Sequence, residues 1–146
     1  GVDTEAVRQQ RIETAKALAT RLNCHVVLKG AGSICVAPDG PWFINNSGNP
    51  GLASAGTGDV LAGMLGAFLA QGLDAHEALL LGVHLHGAAA DELVAQGIGP
   101  VGLTAAEVID AAGMTLMPGL PRNPRAVEEI TPAPTLVPDI GSISQE

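Results

Sequence analysis

The sequence predicts an α/β fold on three observations. Thr4 to Leu22 has the spacing of a helix, and two β-branched stretches between His25 and Asn45 are broken by turn residues. A glycine-rich loop then runs without a break into an apolar helix, and two more helices follow. A sheet of three or so short strands offers little for three large helices to cover. The sheet is therefore expected to be one-sided, and the chain to be the C-terminal part of something larger.

In the first helix Ala6, Ile12, Ala15, Ala19 and Leu22 fall near one stripe with Arg and Gln opposite, and Asn23 is the predicted stop. "HVVLKG" (His25–Gly30) reads as a buried strand ending at a glycine. "SICVAP" and "WFIN" flank "PDGP", a turn, so a β-hairpin is predicted. Asp59 to Gln71 carries Val60, Leu61, Met64, Leu65, Phe68 and Leu69 on nearly every face, which predicts a helix buried on all sides. Gly72 ends it, and an alanine-rich helix is expected from Asp74 to about Gln96, closed by "GIGPVG". Thr104 and Glu107 form a capping-box pattern at the start of a last helix that reaches about Leu116. Residues 1–117 are read as one unit. From Pro118 onward six of the ten prolines occur and no period survives, so 118–146 is read as an extended or disordered tail.

Composition removes several function classes. Seven Lys and Arg stand against 15 Asp and Glu, a formal charge of -8 with no basic cluster, which disfavours nucleic acid and anionic lipid as partners. The apolar runs are interrupted well short of a bilayer's ~20 residues, so no membrane span is expected. Cys24 and Cys35 are too few for a disulfide framework and read as small buried hydrophobes. The N-terminus "GVDTEAVRQQR" has no apolar signal region, and a cytoplasmic location is expected.

The chemistry concentrates in "NSGNPGLASAGTGDVLAGMLGAF", Asn46 to Phe68, which holds six glycines and one carboxylate, Asp59. A helix begins with backbone N–H groups that have no intrahelical partner and with partial positive charge. Glycines just before it, here Gly56 and Gly58 around Thr57, let the main chain approach a phosphate closely. Asp59 would repel such an anion, so it suits a second task, taking the proton from a hydroxyl that attacks the phosphate. The plainer reading, a first-turn acid that complements the helix dipole, stands at even weight on local sequence alone. The loop is neither a Walker A motif nor a GxGxxG fingerprint. His84 and His86, two apart on a helix, point to nearly opposite faces, so no metal site is expected from them. His84 and Asp91 share a face and are placed to bond a neighbouring loop. Asn45, Asn46 and Asn49 suit turns, and Asn49 is also counted among the candidate ligand-facing residues.

"NSGNPGLASAGTGDVLAGMLGAFLAQG" resembles the signature of the ribokinase-like superfamily, and within it the ADP/ATP-dependent NAD(P)H-hydrate dehydratases. These are carbohydrate-kinase-like domains often fused to an NAD(P)HX epimerase. "VVLKGAGSICVAPDGPWFINNSGNP" and "LGVHLHGAAADELVAQG" are similar to flanking segments of the same family, and the resemblance runs from about Thr14 to Ala112. It implies a three-layer α/β/α fold, present as a C-terminal fragment of the domain. It implies that Lys29, Gly30, Ala31, Gly32 and Ser33 belong to the adenine-nucleotide segment, with Ser33 where Thr is frequent. Gly58 would give its amide to the nucleotide phosphate, and Asp59 would act as base on the C6 hydroxyl of hydrated NAD(P)H. Phosphoryl transfer from ADP (or ATP) would turn a poor leaving group into a good one. Mg²⁺ is expected with the nucleotide, although the acidic motif such domains carry upstream is missing here. A homo-oligomer and association with an epimerase domain are further expectations. The alternatives are a small-molecule (vitamin-precursor or sugar) kinase of the same superfamily and a nucleotide-binding fragment without turnover.

Overall fold

The computed structural model describes residues 4–116, with side chains from residue 10 onward. The boundary drawn at 117 and the tail expected over 118–146 lie outside these residues.

Helix α1 spans Thr4–Leu22, as its spacing predicts. Ile12, Ala15 and Ala19 form its buried stripe, whereas Leu22, placed on the same stripe from sequence, is 55% exposed. Its helix closes just beyond it: Asn23 takes a left-handed φ of 47°, and the Cys24 N–H returns to the Ala19 carbonyl at 3.2 Å.

Three short strands follow, β1 (Val26–Leu28), β2 (Ile34–Val36) and β3 (Trp42–Ile44), in an antiparallel meander with β2 in the centre. Their register aligns Val27, Cys35 and Phe43 across the sheet. Side chains alternate between faces. Val26, Leu28, Ile34 and Val36 pack on α1, while Val27 and Cys35 pack on Leu61, Leu79 and Val83 from two later helices. Both faces of β1 and β2 are therefore covered, in helix, sheet and helix layers rather than the one-sided order expected, while β3 stays exposed. Strands of three residues form few ladder bonds, each worth about 1 kcal/mol net, so position is decided by side chains such as Ile34 and Val36, whose burial is worth about 1.5–3 kcal/mol each. Cys35 is buried as expected, and burial pushes its thiol up to about 11; Cys24 is only half-buried.

A 3-10 turn over Pro50–Ala53, not anticipated from sequence, leads to α2 (Thr57–Ala70), α3 (Ala75–Ala95) and α4 (Ala105–Leu116). Helix α2 is not buried on all sides. Only Thr57, Leu61 and Phe68 are buried, and Leu69 is 49% exposed. One face meets α3 and the sheet; the remaining apolar face borders an open groove that no described residue covers. Helix α3 is the centre of the molecule, with ten buried residues and packing against both α2 and α4. Contrary to the sequence expectation, it is long and apolar enough to cross a membrane by length and composition. Its leucines, valines and alanines make it so, and more than half of that stretch is buried inside the fold here.

Two helix starts are charged. The Asp74 carboxylate caps α3 by accepting the His76 N–H at 2.8 Å, and that bond holds its pKa below the ordinary value. At α4 the capping box forms as predicted: Glu107 accepts from the Thr104 N–H and hydroxyl, both at 2.8 Å, and is likewise lowered. A carboxylate with a depressed folded pKa contributes stability that is present above its unfolded value and lost as pH falls through the folded one. Acidification below the usual carboxylate range should therefore lower Tm, and Asp74→Asn with Glu107→Gln should flatten that acid limb, which a pH series of melting curves measures.

Glycine contacts yield a second prediction. A Cβ at Gly82 would meet side-chain atoms alone, the end of Leu65 at 2.6 Å and the Phe68 ring at 3.8 Å, whereas one at Gly87 would collide with the Ser47 hydroxyl and lie 2.6 Å from the Ser47 carbonyl carbon. A side-chain tip yields and a backbone does not. Gly87→Ala should cost about 2–3 kcal/mol, and Gly82→Ala clearly less, by thermal denaturation.

Candidate active site

The site is built where α2 begins. Gly56 takes φ 84° immediately before the helix, a turn that a side chain would strain, and a Cβ there would also touch Ala105 at 3.2 Å. The Asp59 and Val60 N–H groups both bond to the Gly56 carbonyl, at 3.0 and 3.1 Å. The earlier amides of Thr57 and Gly58 are left pointing out of the helix end, where the dipole is positive. Thr57 is buried, and its hydroxyl shares its proton between the Leu52 and Ser54 carbonyls at 2.7 and 2.9 Å. Those bonds tie the helix start to the 3-10 turn.

A cavity of about 520 Å³ opens in front of this terminus. Lys29, Gly30, Ala31, Gly32, Ser33, Asn49, Thr57 and Gly58 all line it. Eight of the ten residues singled out from sequence thus converge on one space, although 16 to 29 positions separate Lys29–Ser33 from Asn49–Gly58. The other two, Gly56 and Asp59, do not. They line a second, mostly apolar cavity of about 650 Å³ between α2 and α4, together with Val60, Met64, Phe68 and Ile109. The first turn of α2 therefore forms a partition, with Gly58 on one side and Asp59 on the other. The Asp59 side chain is exposed.

The loops around the first cavity are held from several directions. Arg11 of α1 reaches the 30–32 loop, donating to the carbonyls of Ala31 at 3.0 Å and Gly32 at 3.5 Å. The Ser33 hydroxyl closes the same loop on Gly30, accepting from its N–H at 3.3 Å and donating to its carbonyl at 3.2 Å. Lys29 projects its ammonium over Gly58: a Cβ added there would be 2.5 Å from Nζ. Asn49 is occupied at both ends of its amide, donating to Asp91 at 3.0 Å and accepting from the Gly51 N–H at 3.0 Å. It lines the cavity, but its side chain is committed to shaping the turn. Asn45 likewise closes the turn to Ser47.

Helix α3 supplies residues that the sequence reading left without a role. His84 is exposed and His86 buried, on opposite faces as their spacing requires. The Ser47 hydroxyl lies 2.9 Å from the His84 carbonyl. Asp91 accepts from the Gly48 N–H at 2.7 Å as well as from Asn49, the loop contact its helical position suggested. His86 Nε2 lies 2.8 Å from the Thr57 carbonyl. Burial first, then the nearby Lys29 cation, lower its pKa, while the carbonyl contact acts the other way. No sequence pattern announces the His86 contact, because it joins residues 29 positions apart. Among the described residues no group of three or more His, Cys, Asp or Glu is placed to hold a metal ion.

Comparison with known proteins bears on this geometry. The family profile described as NAD(P)H-hydrate dehydratase matches residues 2–112. The chain is 44% identical over 129 residues to the bifunctional NAD(P)H-hydrate repair enzyme Nnr of Thermofilum pendens, covering 88% of this chain and 23% of that protein. It is 40% identical over 112 residues to the ADP-dependent (S)-NAD(P)H-hydrate dehydratase of Neisseria meningitidis serogroup B, covering 77% of this chain and 38% of the relative. Among solved structures, the ADP/ATP-dependent NAD(P)H-hydrate dehydratase of Bacillus subtilis, co-crystallised with ATP/Mg²⁺, superposes with a TM-score of 0.71 at 35% identity over 80% of this chain and 42% of that one. The chain thus spans well under half the length of these relatives, and its fold is that of their shared domain in part. On the family match, the chain belongs to the NAD(P)H-hydrate dehydratase family.

Proposed function

We propose that this chain is the nucleotide-binding and phosphoryl-transfer portion of an ADP-dependent NAD(P)H-hydrate dehydratase, which converts hydrated NAD(P)H back to NAD(P)H. The observation that carries the reading is the partition at the start of α2: free amides and Lys29 face one cavity, and an exposed carboxylate faces the other.

Nucleotide phosphates fit the first cavity chemically. The Thr57 and Gly58 amides donate to phosphate oxygens at a helix terminus, and Lys29 adds a point charge beside them. The 30–33 loop, pinned by Arg11 and Ser33, forms the wall against which the nucleoside rests. Phosphoryl transfer asks the protein mainly for position and fixed positive charge, and this rim offers both. From the opposite side, the hydrated dinucleotide presents its C6 hydroxyl to Asp59. That carboxylate takes the hydroxyl proton as the oxygen attacks the terminal phosphoryl group of ADP and AMP leaves; the phosphate ester formed then expels phosphate from C6 while a proton leaves C5, restoring the ring double bond. Hydroxide is a poor leaving group and phosphate a good one, which is why a nucleotide is consumed in a dehydration. The described residues form no Mg²⁺ site of their own; an ion arriving with the nucleotide would be held by phosphates and water.

Relatives named as bifunctional repair enzymes support a further proposal, that the parent protein works alongside an epimerase activity. Homo-oligomerisation and a cytoplasmic location stay proposals of the same rank.

Two variants test the division of labour. Asp59→Asn removes the base and keeps the amides, so formation of NADH from hydrated NADH should fall by at least about 100-fold while the ADP dissociation constant stays within about threefold. Turnover that survives the change would take Asp59 out of the mechanism. Gly58→Val places a side chain against Lys29 Nζ and the phosphate path, so calorimetry should show ADP binding weakened by about tenfold or more. Equal affinity would mean that the loop only packs.

A further inference from the structure

The buried histidine of α3 has a task that packing alone does not require. His86 is 8% exposed, in the middle of a helix lined otherwise by alanine, glycine and aliphatic side chains. A residue that must bury a ring nitrogen there is costly unless that nitrogen is bonded. Its Nε2 is bonded, at 2.8 Å, to the carbonyl oxygen of Thr57. A carbonyl can only accept, so Nε2 carries the proton and the ring donates.

The identity of that carbonyl matters. Thr57 C=O and Gly58 N–H belong to one peptide unit, which is planar and trans, so the two groups point in opposite directions. Fixing the carbonyl toward α3 fixes the Gly58 N–H away from it, out of the helix end and toward the cavity that Gly58 and Lys29 share. Donation to the oxygen also polarises the amide and makes its N–H a better donor, because hydrogen bonds in series strengthen one another. The oxygen has a second lone pair for the helical bond, so α2 loses nothing by the arrangement. Gly58 itself has no side chain with which to lock its own peptide plane.

We propose that His86 is the positioning residue of the phosphate-binding amide: its neutral ring, through the Thr57 carbonyl, orients and strengthens the Gly58 N–H. This inference rests on the nucleotide reading for its purpose, but the coupling through the peptide is a property of the ligand-free chain. Burial and the neighbouring Lys29 cation push the ring toward its neutral form against the Thr57 bond; Nε2 carries a proton in that tautomer and in the cation alike, so the ring donates in either state.

The test uses the 146-residue chain with ¹⁵N labelling and three forms: wild type, His86→Gln and His86→Leu. Glutamine can still donate to the Thr57 carbonyl; leucine fills the space and cannot. In the absence of ligand, the Gly58 ¹⁵N resonance should move upfield in His86→Leu and stay near its wild-type position in His86→Gln, because an amide nitrogen reports hydrogen bonding at the preceding carbonyl. ADP affinity should fall by about fivefold to tenfold in His86→Leu and by less than about threefold in His86→Gln. An unmoved Gly58 resonance in folded His86→Leu, or loss of affinity to the same extent in both variants, overturns the proposal. If wild type shows no ADP binding at all, the nucleotide reading fails, and the ligand-free shift alone decides whether the peptide is coupled to His86.

Discussion

The site depends on how closely α3 approaches the loops that precede α2. Gly87 has no side chain, and that vacancy is filled by the backbone of Ser47. On the same side of the helix, the His84 carbonyl takes the Ser47 hydroxyl, and Asp91, one further turn along, takes Gly48 and Asn49. These contacts turn a flexible, glycine-rich stretch into a fixed wall. With no bulk at position 87 and a carboxylate at 91, the chain from 47 to 57 is aligned along α3, and the amides of α2 emerge at one defined place. Around this arrangement the rest is support: Arg11 steadies the opposite loop, and α1 and the small sheet carry Lys29 to the rim.

Much of this was legible in the sequence because its signals are local. Helical spacing, the Thr104–Glu107 box and the "PDGP" turn are set by neighbours three or four residues away, and each formed where expected. The turn at Gly56 and the helix start at Thr57 and Gly58 were legible for the same reason: a glycine turn followed by a helix start advertises free amides. The contacts that were not legible are all long in sequence. Nothing local at His86 marks Thr57 as its acceptor, and nothing at Arg11 points to Ala31. The division of Gly58 and Asp59 between two cavities was also hidden: consecutive helix residues always face directions about 100° apart, but which space each direction meets is set by packing.

The misjudged features share a cause. An apolar surface on every side of α2 was read as burial on every side, yet one side borders a groove lined by Val60, Met64 and Ile109. The edge strand β3, for which the sequence predicted only a hairpin arm, also leaves apolar side chains uncovered, with Trp42, Phe43 and Ile44 each more than 40% exposed. Apolar surface of this extent is unusual on a free domain and is normal where another part of a protein packs. The relatives, of which this chain spans 23% and 38% in the two cases described, have more chain with which to cover such surfaces. The sheet, judged too small for its helices, is buried on both faces only at its central strand β2, while β3 is exposed and α4 packs on α3 rather than on strands.

The central claim, that nucleotide phosphates bind at the glycine-turned start of α2, is tested most directly by titrating ADP into the ¹⁵N-labelled chain and following the glycine amides. The account predicts the largest shifts at Gly30, Gly32, Gly48 and Gly58, which line one cavity, and small ones at Gly63 and Gly113 in the groove behind. Shifts concentrated at Gly63 and Gly113, with Gly58 unmoved, would contradict it.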